Sequence, residues 1–118
     1  MENIKNEGII EGEVVQSDGT ETDFVLSRPI IFDGETIEKI KLDFDSLTGG
    51  DIEKAELQFN SENPQGATVV IMKEMSKGFC AIVAAKAAKV NVNLIRSLNA
   101  RDYTKITARV MNFLLGGK

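Results

Sequence analysis

TDFVLSRPIIFDGETIEKIKL, residues 22–42, is the stretch that decides the fold. Phe24, Leu26 and the run Pro29, Ile30, Ile31, Phe32 lead into Asp33, Gly34 and Glu35, after which Ile37, Ile40 and Leu42 follow among charged residues. Two short extended runs on either side of an Asp-Gly pair predict a β-hairpin over 22–43, because Gly supplies the positive φ that such turns need. Pro29 has no N–H to give to a ladder, which places it at a strand end, a bulge or an edge. Two strands alone are marginal in water, so a helix must cover one face.

Downstream, the apolar period changes to that of a helix. Thr48, Gly49, Gly50 and Asp51 resemble a capping box, although Glu or Gln is the usual third residue. Ile52, Ala55 and Phe59 follow at spacings of three and four, which predicts a helix over 49–61, ended by Asn63, Pro64, Gln65 and Gly66. Met72, Met75, Phe79, Ile82, Val83, Lys86 and Val90 predict a second over 69–89, whose many alanines favour helix and let neighbours approach closely. Asn93 can cap a short helix over 93–98. Asn99 can cap the last, over 100–115, with Asp102 at the favourable end of its dipole and Tyr103, Ile106, Val110, Phe113 and Leu114 as its apolar stripe. The expectation is a mostly helical α+β domain over 22–118, with an N-terminal β-hairpin followed by three principal helices and one short one.

The chain has 118 residues, of which 42% are hydrophobic and 27% charged, as suits one globular domain. A chain of this size buries roughly two-thirds of its extended surface, so a core forms without metals or disulfides. Cys80 is the one cysteine and histidine is absent, which excludes a disulfide framework, Cys-based zinc sites, His-ligated metals and the Ser-His and Cys-His nucleophile pairs. No catalytic residue, cofactor site or metal site is expected. No run approaches the length of apolar residues needed to span a bilayer, and the first residues do not form a secretory signal, so a soluble cytoplasmic protein is expected. Residues 1–21, rich in acids, Gly, Asn, Ser and Thr, read as a flexible arm.

The net charge of −4 conceals a gradient. Residues 1–23 hold seven acids against Lys5, and residues 24–71 hold nine acids against four bases. Residues 72–118 reverse this, with nine bases against Glu74 and Asp102. Such polarity bears on association and not on fold.

Taken in order, these elements resemble the tail assembly chaperones of long-tailed phages, of the type found in Mu-like contractile-tailed phages. The block LSRPIIFDGETIEKIKL, residues 26–42, matches through Leu26, Pro29, Ile30, Phe32, Asp33, Gly34, Ile40 and Leu42. The helix entry matches through Thr48, Gly50, Asp51 and Ile52, and the closing elements through Leu98, Asp102, Tyr103, Phe113 and Leu114. The likeness runs from about residue 24 to residue 116. Two features depart from the family pattern: the acidic first 21 residues and the alanine-rich 69–89 helix. The resemblance implies a non-enzymatic factor of the host bacterial cytoplasm. It would hold the long helical tape measure protein until the tail tube protein polymerises around it, and would be absent from the finished particle. It further implies a homo-oligomer, and a longer form made by ribosomal frameshifting, for which a Gly-Lys pair such as Gly117 and Lys118 can supply a slippery codon pair.

A surface that receives helical segments has to be apolar and adaptable, a role for which Met is suited. Met72, Met75, Phe79 and Met111 are the candidates, and the competing explanation is ordinary core packing at helical spacing. Lys73, Lys77, Arg101, Lys105 and Arg109 can face an acidic partner or the acidic front of a second copy, against the alternative of a solvated face. Asp33 and Gly34 read as a turn, Gly49 and Gly50 as a helix entry and not a phosphate loop, Cys80 as a small buried residue, and Asp102 with Tyr103 as a helix start with a core aromatic. Two other functions remain open. One is a structural tail component. The other, which the acidic total disfavours, is a nucleic-acid-binding regulator that would use residues 93–98 and the last helix as a helix-turn-helix.

Overall fold

The structure, a computed structural model, describes residues 22–63 and 76–116. It is an α+β fold: strands β1 (Thr22–Phe32) and β2 (Glu35–Leu42), a single 3-10 turn at Phe44–Ser46, then helices α1 (Gly49–Glu62), α2 (Lys77–Ala88), α3 (Val92–Arg96) and α4 (Ala100–Leu114). The expected acidic arm, 1–21, lies outside the described residues, as do Met72, Lys73 and Met75.

The strands pair antiparallel through a two-residue turn in which Asp33 and Gly34 both take positive φ, 52° and 79°. This is the geometry that matches strand twist and that Asp-Gly adopts at low cost. Pairing is regular from Phe32 opposite Glu35 to Ile30 opposite Ile37, and resumes at Val25 opposite Lys39. Leu26, Ser27, Arg28 and Pro29 therefore bulge out against Glu38 alone, and the proline occupies the place where a ladder donor is not required. Alternation then puts Phe24, Leu26, Ile40 and Leu42 on one buried face.

Helix α2 is the centre of the molecule. Phe79, Cys80, Ala81, Ile82, Val83, Ala84, Ala85 and Ala87 are all buried, so it is covered on every side, by α1, α3, α4 and β2. Its small residues let those neighbours approach. At Gly78 a β-carbon would stand 3.3 Å from the Phe59 ring of α1. The C-terminus closes as a Schellman motif, in which the Lys89 N–H donates to Lys86 and the Val90 N–H to Ala85. Lys89 sits there at φ 58°, a conformation that favours glycine. Lys89→Gly is accordingly expected to raise the unfolding free energy by about 1 kcal/mol, read as a higher urea midpoint at unchanged slope.

Two helix starts differ from the sequence expectation. The helix expected over 69–89 begins at Lys77, because Ser76 is extended (φ −94°, ψ 126°) and its hydroxyl accepts the Phe79 N–H, which ends any continuous helix through that point. The short helix is capped by Asn91 and not by Asn93. The Asn91 carboxamide accepts the Asn93 N–H at 2.8 Å, so the helix is Val92–Arg96 and Leu98 is a buried residue beyond it.

At α1 the capping box is complete: the Asp51 N–H donates to the Thr48 hydroxyl at 3.1 Å and the Thr48 N–H to the Asp51 carboxylate at 3.0 Å. The backbone bond from Thr48 holds the Asp51 carboxyl below the usual carboxylate range. A pKa lower in the folded than in the unfolded chain means that the cap contributes stability above about pH 4. That contribution is lost as pH falls through the folded-state value. Acid titration of stability is therefore expected to lose one component in Asp51→Asn, and identical acid profiles for the two proteins would contradict this.

Candidate functional site

Helix α4 carries the features that a binding surface needs. Asn99 caps it, accepting the Asp102 N–H at 2.9 Å, and Ile106, Thr107 and Val110 are buried against α2 and the sheet. Thr107 satisfies its hydroxyl by donating back to the Tyr103 carbonyl at 2.8 Å, so a polar residue can be fully enclosed. Phe113 stacks on Phe44, with ring centroids 4.6 Å apart.

The opposite side of α4 is cationic. Successive residues turn by about 100°, so Arg101, Lys105 and Arg109, four apart, fall within an arc of about 80°. All three are exposed. The Arg109 guanidinium lies 5.1 Å from the centre of the Phe24 ring. Partial burial lowers its pKa, and a guanidinium stays protonated regardless. Among the described residues, no carboxylate forms an ion pair with any of the three. Nearby cations are differently placed: Lys39 pairs with Asp23 at 3.3 Å, and Arg96 with Glu62 at 2.7 Å. The second contact ties the end of α1 to α3 and holds the Glu62 carboxyl below its ordinary range.

The other candidates fall elsewhere. Met111 lies ten residues from Arg101, about 15 Å along the axis, and about 160° around the helix from Arg109, half-buried against the core and apart from the cationic row. Lys77 is exposed at the start of α2, and its carbonyl accepts the Tyr103 hydroxyl at 3.4 Å. Tyr103 is about 200° around the helix from Arg101, so Lys77 sits on the opposite flank from the row. Phe79 is not a surface residue at all. It is 0% exposed and meets the Phe59 ring edge-on, with centroids 6.1 Å apart, because α2 is enclosed on every side. The structure thus brings together Arg101, Lys105 and Arg109, separates Met111 and Lys77 from them, and moves Phe79 into the core.

Two features were not read from the sequence. One consists of two bare apolar side chains on β1, Val25 at 71% and Ile31 at 75% exposure. The runs Phe24, Val25, Leu26 and Ile30, Ile31, Phe32 carried the signal, since a strand with one covered face must expose the middle residue of three. The other is a polar clamp. Ser27, in the bulge, donates its N–H to the Asp102 carboxylate at 2.9 Å and its hydroxyl at 3.1 Å, while the Asn99 amide donates to the same oxygen at 3.2 Å. Asp102 is 2% exposed and joins the hairpin to the start of α4.

No group of three or more acidic, cysteine or histidine side chains that could hold a metal ion occurs among the described residues. Nor is any described helix long and apolar enough to cross a membrane. A protein-family model described as phage tail assembly chaperone proteins, E, or 41 or 14, matches residues 23–115, well over half of the chain. No curated protein and no solved structure matches it.

Proposed function

Since the chain belongs to the phage tail assembly chaperone family, we propose that it acts by binding alone, holding the tape measure protein in solution in the host cytoplasm until the tail tube forms around it. The observation that carries this reading is the row Arg101, Lys105, Arg109 on an exposed helix face, without carboxylate partners among the described residues. A helical partner bearing a row of acids would be recognised there. The cations set register and speed encounter, and Met111, elsewhere on α4, offers a flexible apolar contact of its own. Many copies would line so long a partner, which makes self-association and contact with the tail tube protein part of the same proposal. A longer frameshifted product would carry the same surface.

Co-expression with the tape measure protein is the direct test. The expected result is that the partner moves to the soluble fraction and co-purifies with this chain. Replacing Arg101, Lys105 and Arg109 together by Glu should reduce capture per folded molecule about tenfold at low salt, with a small loss of stability from the Arg109 contact on Phe24. Partner that stays insoluble, or capture indifferent to the triple replacement, would count against the reading. Recovery of the protein from purified virions would assign a structural tail role instead, and salt-sensitive retention on DNA a regulatory one.

A further inference from the structure

The chain itself carries a stretch of charge opposite to that of the cationic row. Strand β1 runs alongside α4 in the opposite direction, since Ser27 meets Asp102 near the helix start and Phe24 lies under Arg109 two turns later. The chain before Thr22 therefore joins the fold at the Arg109 end of the row. That preceding segment, residues 1–21, carries Glu2, Glu7, Glu11, Glu13, Asp18 and Glu21 against Lys5. We infer that the acidic segment 1–21 lies on the Arg101, Lys105, Arg109 face of α4 in the same molecule and occupies it until an acidic partner displaces it.

Reach and concentration support the intramolecular form. The row spans about 12 Å along the helix, whereas residues 11–21 extended cover up to about 35 Å. The segment can therefore turn back from Thr22 and run the length of the row with slack. A short tether gives an effective concentration on the order of millimolar, above that of other copies in dilute solution. Opposite charge is the recognition, so the contact weakens with salt and needs no fixed side-chain register. Displacement by the tape measure protein rests on the proposed function, but the contact does not. Its test therefore uses the chain alone.

A zero-length carbodiimide cross-link joins a carboxylate to an amine, and Lys105 is the one amine in the row. Full-length protein should be treated at 50 mM and 500 mM salt as an equal mixture of 14N- and 15N-labelled copies. The expected product is an amide between Lys105 and Glu11, Glu13, Asp18 or Glu21, in peptides of a single isotope, about fivefold less abundant at the higher salt. Mixed-isotope peptides would overturn the intramolecular form in favour of a second copy. Absence of Lys105 products, or equal yields at Lys54 and Lys86, would overturn the contact itself. As an independent reading, changing Glu11, Glu13, Asp18 and Glu21 to their amides should shift the backbone resonances of Arg101 to Arg109 at 50 mM salt. Unmoved resonances would refute the contact.

Discussion

Asp102→Ala is expected to lower the unfolding free energy by about 3 kcal/mol. The carboxylate is enclosed and takes the Ser27 N–H, the Ser27 hydroxyl and the Asn99 amide at 2.9 to 3.2 Å. Bonds to a charged acceptor each contribute about 1.5–3 kcal/mol, and removing the acceptor leaves the bulge N–H without a partner. That N–H cannot fall back on the ladder, because Leu26 to Pro29 bulge away from β2. Two comparisons isolate the mechanism. Asp102→Asn keeps the shape but turns an NH2 toward donors, so it should recover only part of the loss. Ser27→Ala removes the hydroxyl and keeps the backbone bond, costing about 1 kcal/mol. Urea unfolding gives the ordering, and hydrogen exchange should show the β1 amides opening earlier in Asp102→Ala than in the parent. A loss under 1 kcal/mol for Asp102→Ala would mean that the clamp does not hold the hairpin.

That clamp marks where sequence reasoning stops. Local chemistry is legible: Asp33 and Gly34 announce the turn, Pro29 a bulge or an edge, and Thr48 with Asp51 the cap of α1. In each case the physical cause lies within four residues. Ser27 and Asp102 are 75 positions apart, and the bulge that aims one at the other is set by strand register and helix docking together. From the sequence Asp102 has only its local role, at the favourable end of a helix dipole. Ser76 was hidden differently. It interrupts an apolar spacing that continues on both sides, so periodicity reads through a cap that the backbone does not. Asn91 and Asn93 are equally good caps by type, and the extended backbone at Asn91 decides between them. The cationic row is the part of the candidate site that spacing alone shows, because 101, 105 and 109 share a face on any α-helix.

Phe79 shows why an apolar stripe does not distinguish a partner groove from a core, and its replacement separates the two. Phe79→Ala is expected to cost about 3–5 kcal/mol, the loss for truncating a fully buried aromatic ring. The Phe59 ring would lose its edge contact and the cavity would open between α1 and α2, where Gly78 already holds the backbones close. Collapse to fill the void would have to move the helix on which α1, α3, α4 and β2 all pack, so little relaxation is available. Phe79→Leu retains most of the volume and should cost about 1–2 kcal/mol. A partner-facing residue would behave in the opposite way, with stability nearly unchanged and binding reduced. Measured together, urea midpoint and capture per folded molecule give the answer: Phe79→Leu should lower the first and leave the second unchanged. By contrast, replacing Arg101, Lys105 and Arg109 should chiefly reduce capture, since Arg101 and Lys105 are exposed and the fold loses only the Arg109 contact on Phe24. If Phe79→Leu reduced capture per folded molecule, the binding surface would have to reach α2, and the cationic face of α4 could not account for it alone.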